Sequence, residues 1–175
     1  MKVIFLDIDG VLKDEDYDAE FKDECFARLK KIIDATDAQI ILSSSWRISY
    51  WEFVENGFQT DSERILDLYR HFEKYDIKVS GRTGYTERSG PESRPAEIRK
   101  WLADEPEVET FCIIDDDDFY CWKWLAQFLV ITRVQMNDDE IIKRWKRNLS
   151  DADVDKAIEI LNRDNKRMIQ EQFIP

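Results

Sequence analysis

Three short apolar runs in this chain each end abruptly in acids or hydroxyls, and that pattern constrains the fold more than any other feature. Val3-Ile4-Phe5-Leu6 runs into Asp7-Ile8-Asp9-Gly10. Ile40-Ile41-Leu42 runs into Ser43-Ser44-Ser45, and Phe111-Cys112-Ile113-Ile114 into Asp115-Asp116-Asp117-Asp118. Short apolar runs bounded by turn and polar residues read as buried strands; they span Lys2–Leu6, 38–42 and 111–114, and Leu129–Ile131 adds a fourth. Between them the spacing becomes helical. Phe21, Cys25, Leu29, Ile32 and Ile33 share one face, as do Ile65, Leu68, Tyr69 and Phe72. Pro95 stands where a third helix begins, carrying Ile98, Trp101 and Leu102. Strands alternating with helices predict an α/β fold, a doubly wound and mostly parallel sheet with helices on both faces. In such a sheet the polar strand ends share the carboxyl edge, where α/β proteins bind ligands.

At 175 residues the chain makes one domain, 1–175. Residues 80–93 hold three of its five glycines and predict a loop. About 50–93 is expected to form a small cover insertion, and 138–175 a C-terminal helical extension. There Ser150 caps a helix predicted to reach about Asn165, with acids in its first turn and an apolar face of Val154, Ala157, Ile158 and Leu161.

The charges narrow the chemistry. With 26 basic and 38 acidic side chains the formal charge is −12, which opposes tight non-specific nucleic-acid binding or adsorption to an anionic membrane. Any phosphate must be captured locally. No stretch approaches the ~18 apolar residues of a membrane span, and the N-terminal apolar run meets Asp7 too early for a signal peptide, so a cytoplasmic location is expected. Cys25, Cys112 and Cys121 are odd in number and lack CxxC spacing, which argues against a disulfide framework or a thiolate zinc site. His71 is the sole histidine. A Ser-His or Cys-His mechanism would depend on this one residue, so any chemistry is expected to be carboxylate chemistry. Several of them converging repel one another unless a cation is present, and an all-oxygen donor set suits Mg²⁺.

The Phe5-Leu6-Asp7-Ile8-Asp9-Gly10-Val11-Leu12 segment resembles the first motif of the haloacid dehalogenase (HAD) superfamily of phosphohydrolases. The resemblance implies a HAD-like Rossmannoid fold with a small cap or none, and a Mg²⁺-dependent phosphomonoesterase. Asp7 would be the nucleophile that becomes an aspartyl-phosphate, and Asp9 the general acid and base. A hydroxyl after the next core strand would hold phosphate; Ser44 is favoured, because related chains place Ser or Thr two residues before such a Trp, and Ser43 stays open. Arg47 is expected to add positive charge at the mouth. The family's basic residue, usually Lys, has two candidates, Arg94 directly before Pro95 and Lys100 nearly two turns into the helix. Asp7, the Asp9 carbonyl, Asp115 and Asp116 would hold Mg²⁺, ahead of Asp117 and Asp118.

The Ser-Ser-Ser-Trp-Arg run at 43–47, the apolar helix ending in Trp101-Leu102 and Leu149-Ser150-Asp151-Ala152-Asp153 are similar to a small family related to RNA-repair phosphatase domains. The expected partner is a phosphorylated small molecule or a phosphorylated nucleic-acid end. Candidate contacts are Arg64, Arg70, Arg82, Arg88, Lys143, Arg144, Lys146 and Arg147, with Trp51, Tyr85 and Trp145. A polynucleotide 3′ or 5′ end phosphatase is one alternative. A non-catalytic metal- and phosphate-binding regulatory module, motivated by the missing Lys, is the other.

Overall fold

A computed structural model describes residues 1–16, 18–84, 93–117, 125–132 and 148–173. Five parallel strands form its sheet: β1 Lys2–Leu6, β2 Gln39–Leu42, β3 Val79–Arg82, β4 Thr110–Asp115 and β5 Leu129–Ile131, in the order β3-β2-β1-β4-β5. β1 and β4, the central pair, are apolar because helices cover both their faces. Helices α1 Asp23–Thr36, α3 Glu63–Lys74 and α5 Asp151–Leu161 pack together, Phe26 of α1 meeting Phe72 of α3 edge-on at 5.5 Å. The connection from β3 back to β4 runs the other way across the sheet. Right-handed crossover therefore puts its helix, α4 Ser93–Asp104, on the opposite face, where Trp101 meets Phe5 at 5.3 Å. A further helix, α6 Lys166–Phe173, packs beside α4 and sets Phe173 against Phe111. The expected doubly wound sheet is thus present.

Several boundaries differ from expectation for physical reasons. β3 falls at the start of the anticipated 80–93 loop. As an edge strand it pairs on one side only, so Ser80, Gly81 and Arg82 stay half-exposed or exposed and leave no apolar run. Much of the segment expected as a cover, about 50–93, belongs to the core layers: α3 buries Ile65, Leu68 and Phe72, and β3 extends the sheet. Helix α2 Arg47–Glu55 lacks a clean apolar stripe, burying Arg47, Tyr50 and Phe53. The terminal helix stops at Leu161, short of Asn165, and α6 follows. Its N-terminus is capped as expected: Ser150 and Asp153 exchange side-chain to backbone hydrogen bonds.

Candidate active site

The carboxyl edge of β1 and β4 is where the sheet order reverses, and the acids meet there. The backbone N–H of Asp7 donates to Ile114 O at 3.0 Å, so the β1–β4 ladder runs right up to the site. At Gly10 the chain turns with φ 70°, conformational space that residues with a Cβ rarely enter. The side chain of Asp116 occupies the space a Cβ would need, 2.6 Å away. Thr132, just after β5, donates its hydroxyl to Gly10 O at 2.9 Å and its N–H to Asp115 O at 2.9 Å. These contacts lock the first turn to the ends of β4 and β5.

Asp7 and Asp115 are buried, at 4% and 0% exposure. Nη1 of Arg94 sits between them, 3.2 Å from Asp7 Oδ1 and 2.5 Å from Asp115 Oδ2. One cation therefore serves two buried acids. Burial pushes the Asp115 carboxyl up to about 7, with the charge of Asp7 adding to it and Arg94 and the Asp117 N–H working against it. Burial raises Asp7 as well, against the pull of Arg94 and a hydrogen bond from Ser44. Burial alone would discourage the Arg94 charge, but Asp7 and Asp115 override it and hold the guanidinium protonated. Carboxylate oxygens of Asp7, Asp115 and Asp116 all lie within 4.8 Å of one another. An all-oxygen donor set, with two buried acids sharing one guanidinium, fits a hard divalent cation.

Asp9 has a different setting. Its carboxyl is 37% exposed and turns toward Trp46 and Lys13: Trp46 Nε1 donates to Oδ2 at 2.8 Å, and Lys13 Nζ lies 2.9 Å from Oδ1. Lys13 is only 1% exposed and is pinned by bonds to the carbonyls of Asp14 and Asp16. Two carboxyls two residues apart are thus held in separate environments, the arrangement by which one fold can give neighbouring acids different tasks.

Of the hydroxyl candidates, Ser44 reaches Asp7, whereas Ser43 Oγ is sealed at 0% exposure without a hydrogen-bond partner. Of the basic candidates, Arg94 is in the cluster and Lys100 is not. Six residues further along α4, about 240° around the helix, Lys100 points to solvent and pairs with Asp104 at 2.9 Å. Arg47 is also displaced from its expected place at the mouth. It is buried, donates to Ser44 O at 2.8 Å and to Ser43 O at 3.3 Å, and pairs with the buried Glu97 at 2.9 Å. Glu97 sits one turn beyond Arg94, so this pair joins the serine loop to the head of α4.

Lys13, Trp46 as a partner of Asp9, and Glu97 were not apparent as site residues from spacing. Asp117 supports Asp115 through its backbone. Among the candidate contacts, Arg64 stacks over Trp46 at 4.6 Å, Arg82 lies over Trp51 at 5.7 Å, and Arg70 reaches Glu63. His71 lies against Phe21 and Phe26, as part of the packing. Cys25 and Cys112 are unbridged and buried, and burial raises both thiols. Asp118, Cys121, Tyr85, Arg88, Lys143, Arg144, Trp145, Lys146 and Arg147 lie outside the described residues.

A parallel five-stranded sheet with acids at the β1 and β4 ends defines a Rossmann-like α/β domain with a candidate phosphoryl-transfer edge. The family described as "HAD domain in Swiss Army Knife RNA repair proteins" matches residues 3–139, and the chain belongs to it. No curated protein and no solved structure matches the chain. Membership supports a phosphatase-type hydrolase, and the divalent metal that HAD proteins typically use fits the buried aspartate cluster. Among the described residues no helix is long and apolar enough to cross a membrane.

Proposed function

We propose that this chain, as a single domain with its C-terminal extension, is a Mg²⁺-dependent phosphomonoesterase working in the cytoplasm through an aspartyl-phosphate. The observation that carries the reading is the contrast between the two acids of the first turn. Asp7 is buried beside Arg94 and Ser44, whereas Asp9 faces the open side on Trp46 and Lys13. An oxygen of Asp7 attacks phosphorus while the bond to the leaving oxygen breaks, and Asp9 gives that oxygen its proton. Asp9 then takes a proton from water, whose oxygen attacks the aspartyl-phosphate. The P–O bond to Asp7 breaks and inorganic phosphate is released. Arg94 and Ser44 hold the phosphoryl oxygens, with Arg94 offsetting the charge that builds up there. Asp7, the Asp9 carbonyl, Asp115 and Asp116 would hold Mg²⁺, which supplies Lewis-acid polarisation of the phosphoryl group when bound.

The test is phosphate release from nucleotides, sugar phosphates and 3′- or 5′-phosphorylated oligonucleotides, with Mg²⁺ or with chelator, beside Asp7→Asn. Release that requires both the metal and Asp7 supports the reading. A folded, metal-binding protein that releases nothing points instead to a regulatory module. The RNA-repair association in the family's description favours a phosphorylated polynucleotide end as the second reading. An oligonucleotide preference with activity falling steeply as salt rises would support it.

A further inference from the structure

If Asp9 protonates the leaving oxygen, the leaving group must lie on the side of Asp9 that faces solvent. A cleft of about 950 Å³ opens there, walled by Asp9 and Trp46 at one end and by α2 and the start of α3 at the other. The volume lies within the ~300–1,000 Å³ range of small-molecule sites. Asp7 and Asp115 are buried and do not line it.

Among the described residues the cleft's lining is predominantly acidic. Glu15, Glu52 and Asp61 line it in addition to Asp9, and all three are exposed. Among the described lining residues Arg64 alone is cationic, and its guanidinium carbon lies 4.6 Å from the centre of the Trp46 ring. Between the acids the wall offers neutral hydrogen-bonding groups, among them Ser49, Asn56 and Thr60. Resting on the phosphatase reading, we infer that this cleft takes the leaving group and selects uncharged, hydroxyl-bearing ones of nucleoside or sugar size. Leaving groups that carry a further phosphate are rejected. The reacting phosphoryl group meets Arg94 in the interior, whereas a second phosphate held in the cleft faces three carboxylates. In this reading, Glu15, Glu52 and Asp61 act by repulsion, a common source of specificity.

The discriminating pair is a nucleoside 3′-monophosphate and the same nucleoside 3′,5′-bisphosphate, which differ by one remote phosphate. With Mg²⁺ at low ionic strength, kcat/KM for release of the 3′-phosphate is expected to favour the monophosphate by roughly 10-fold. Raising salt should narrow the gap by speeding the bisphosphate, the opposite of the salt response of a site that attracts polyanions. Glu52→Gln with Asp61→Asn, both at exposed positions, should raise the bisphosphate-to-monophosphate ratio of kcat/KM severalfold. p-Nitrophenyl phosphate separates the two levels. If it is hydrolysed but the bisphosphate is used as well as the monophosphate, or loses activity steeply with salt, the charge selection is overturned and the phosphatase reading stands. If no phosphomonoester is hydrolysed, both are overturned.

Discussion

Replacing Asp7 by Asn should remove turnover and yet make the metal-free protein more stable at neutral pH. Asp115 has its carboxyl raised from 3.8 to about 7 in the folded chain. Between those values the folded state keeps a proton that the unfolded state has lost, so stability falls as pH rises from about 4 to 7, by roughly 4 kcal/mol in all. Asp7 supplies part of that cost. At the 4.8 Å separation that bounds the cluster, and an effective dielectric constant of ~20, the two carboxylates repel by about 3 kcal/mol. Asn gives up the attraction of Asp7 to Arg94 at 3.2 Å, about 5 kcal/mol on the same scale. It also removes the burial cost of a carboxylate, several kcal/mol. The upward direction of Asp7 shows which side wins. Asp7→Asn is therefore expected to be the more stable protein at pH 7.5. Urea unfolding followed by tryptophan fluorescence, in chelator at pH 5 and 7.5, would measure the difference. Asp7→Asn should flatten the pH dependence, and added Mg²⁺ should stabilise the wild type more than the variant. An Asp7→Asn protein less stable than wild type at pH 7.5 in chelator would refute this account of the cluster.

Removing Glu97 alone, as Glu97→Leu, should cost about 3–5 kcal/mol, because it strands the buried Arg47 guanidinium. Replacing both partners, Arg47→Met with Glu97→Leu, should recover most of that loss in the same unfolding assay. Arg94→Met should lower kcat by about 100-fold or more, whereas Lys100→Met, at a solvent-facing pair, should leave it within about twofold. Steady-state phosphate release on one substrate checks both.

What could be read from the chain before its structure was the part carried by local pattern. β1 and β4 announce themselves because strands covered on both faces are continuous apolar runs, and the acids that stop them are the same acids that cluster. Arg94 was accessible for a local reason too: Pro95 marks the first turn of α4, so the residue before it lies at the helix head. β3 was hidden because an edge strand exposed to water does not need to be apolar. Lys13 carries no mark at all; its neighbours in sequence do not reveal that its ammonium is enclosed. Trp46 and Glu97 take their roles from partners 37 and 50 residues away. No local period encodes such separations.

The seating of Asp7 and Asp115 at the ends of adjacent strands has a consequence for how such a protein can diversify. Neighbouring strands stand ~4.8 Å apart because backbone hydrogen bonds have one length, so the gauge between these two acids is set by the ladder and not by any loop. The far wall of the outer cleft comes from α2, α3 and the segment between them, which contribute no residue to that gauge. Lineages could therefore lengthen, recharge or exchange the rim and acquire new substrates while inheriting the same reaction geometry. Grafting residues 49–62 from one relative onto another would be expected to transfer preference and leave chemistry intact.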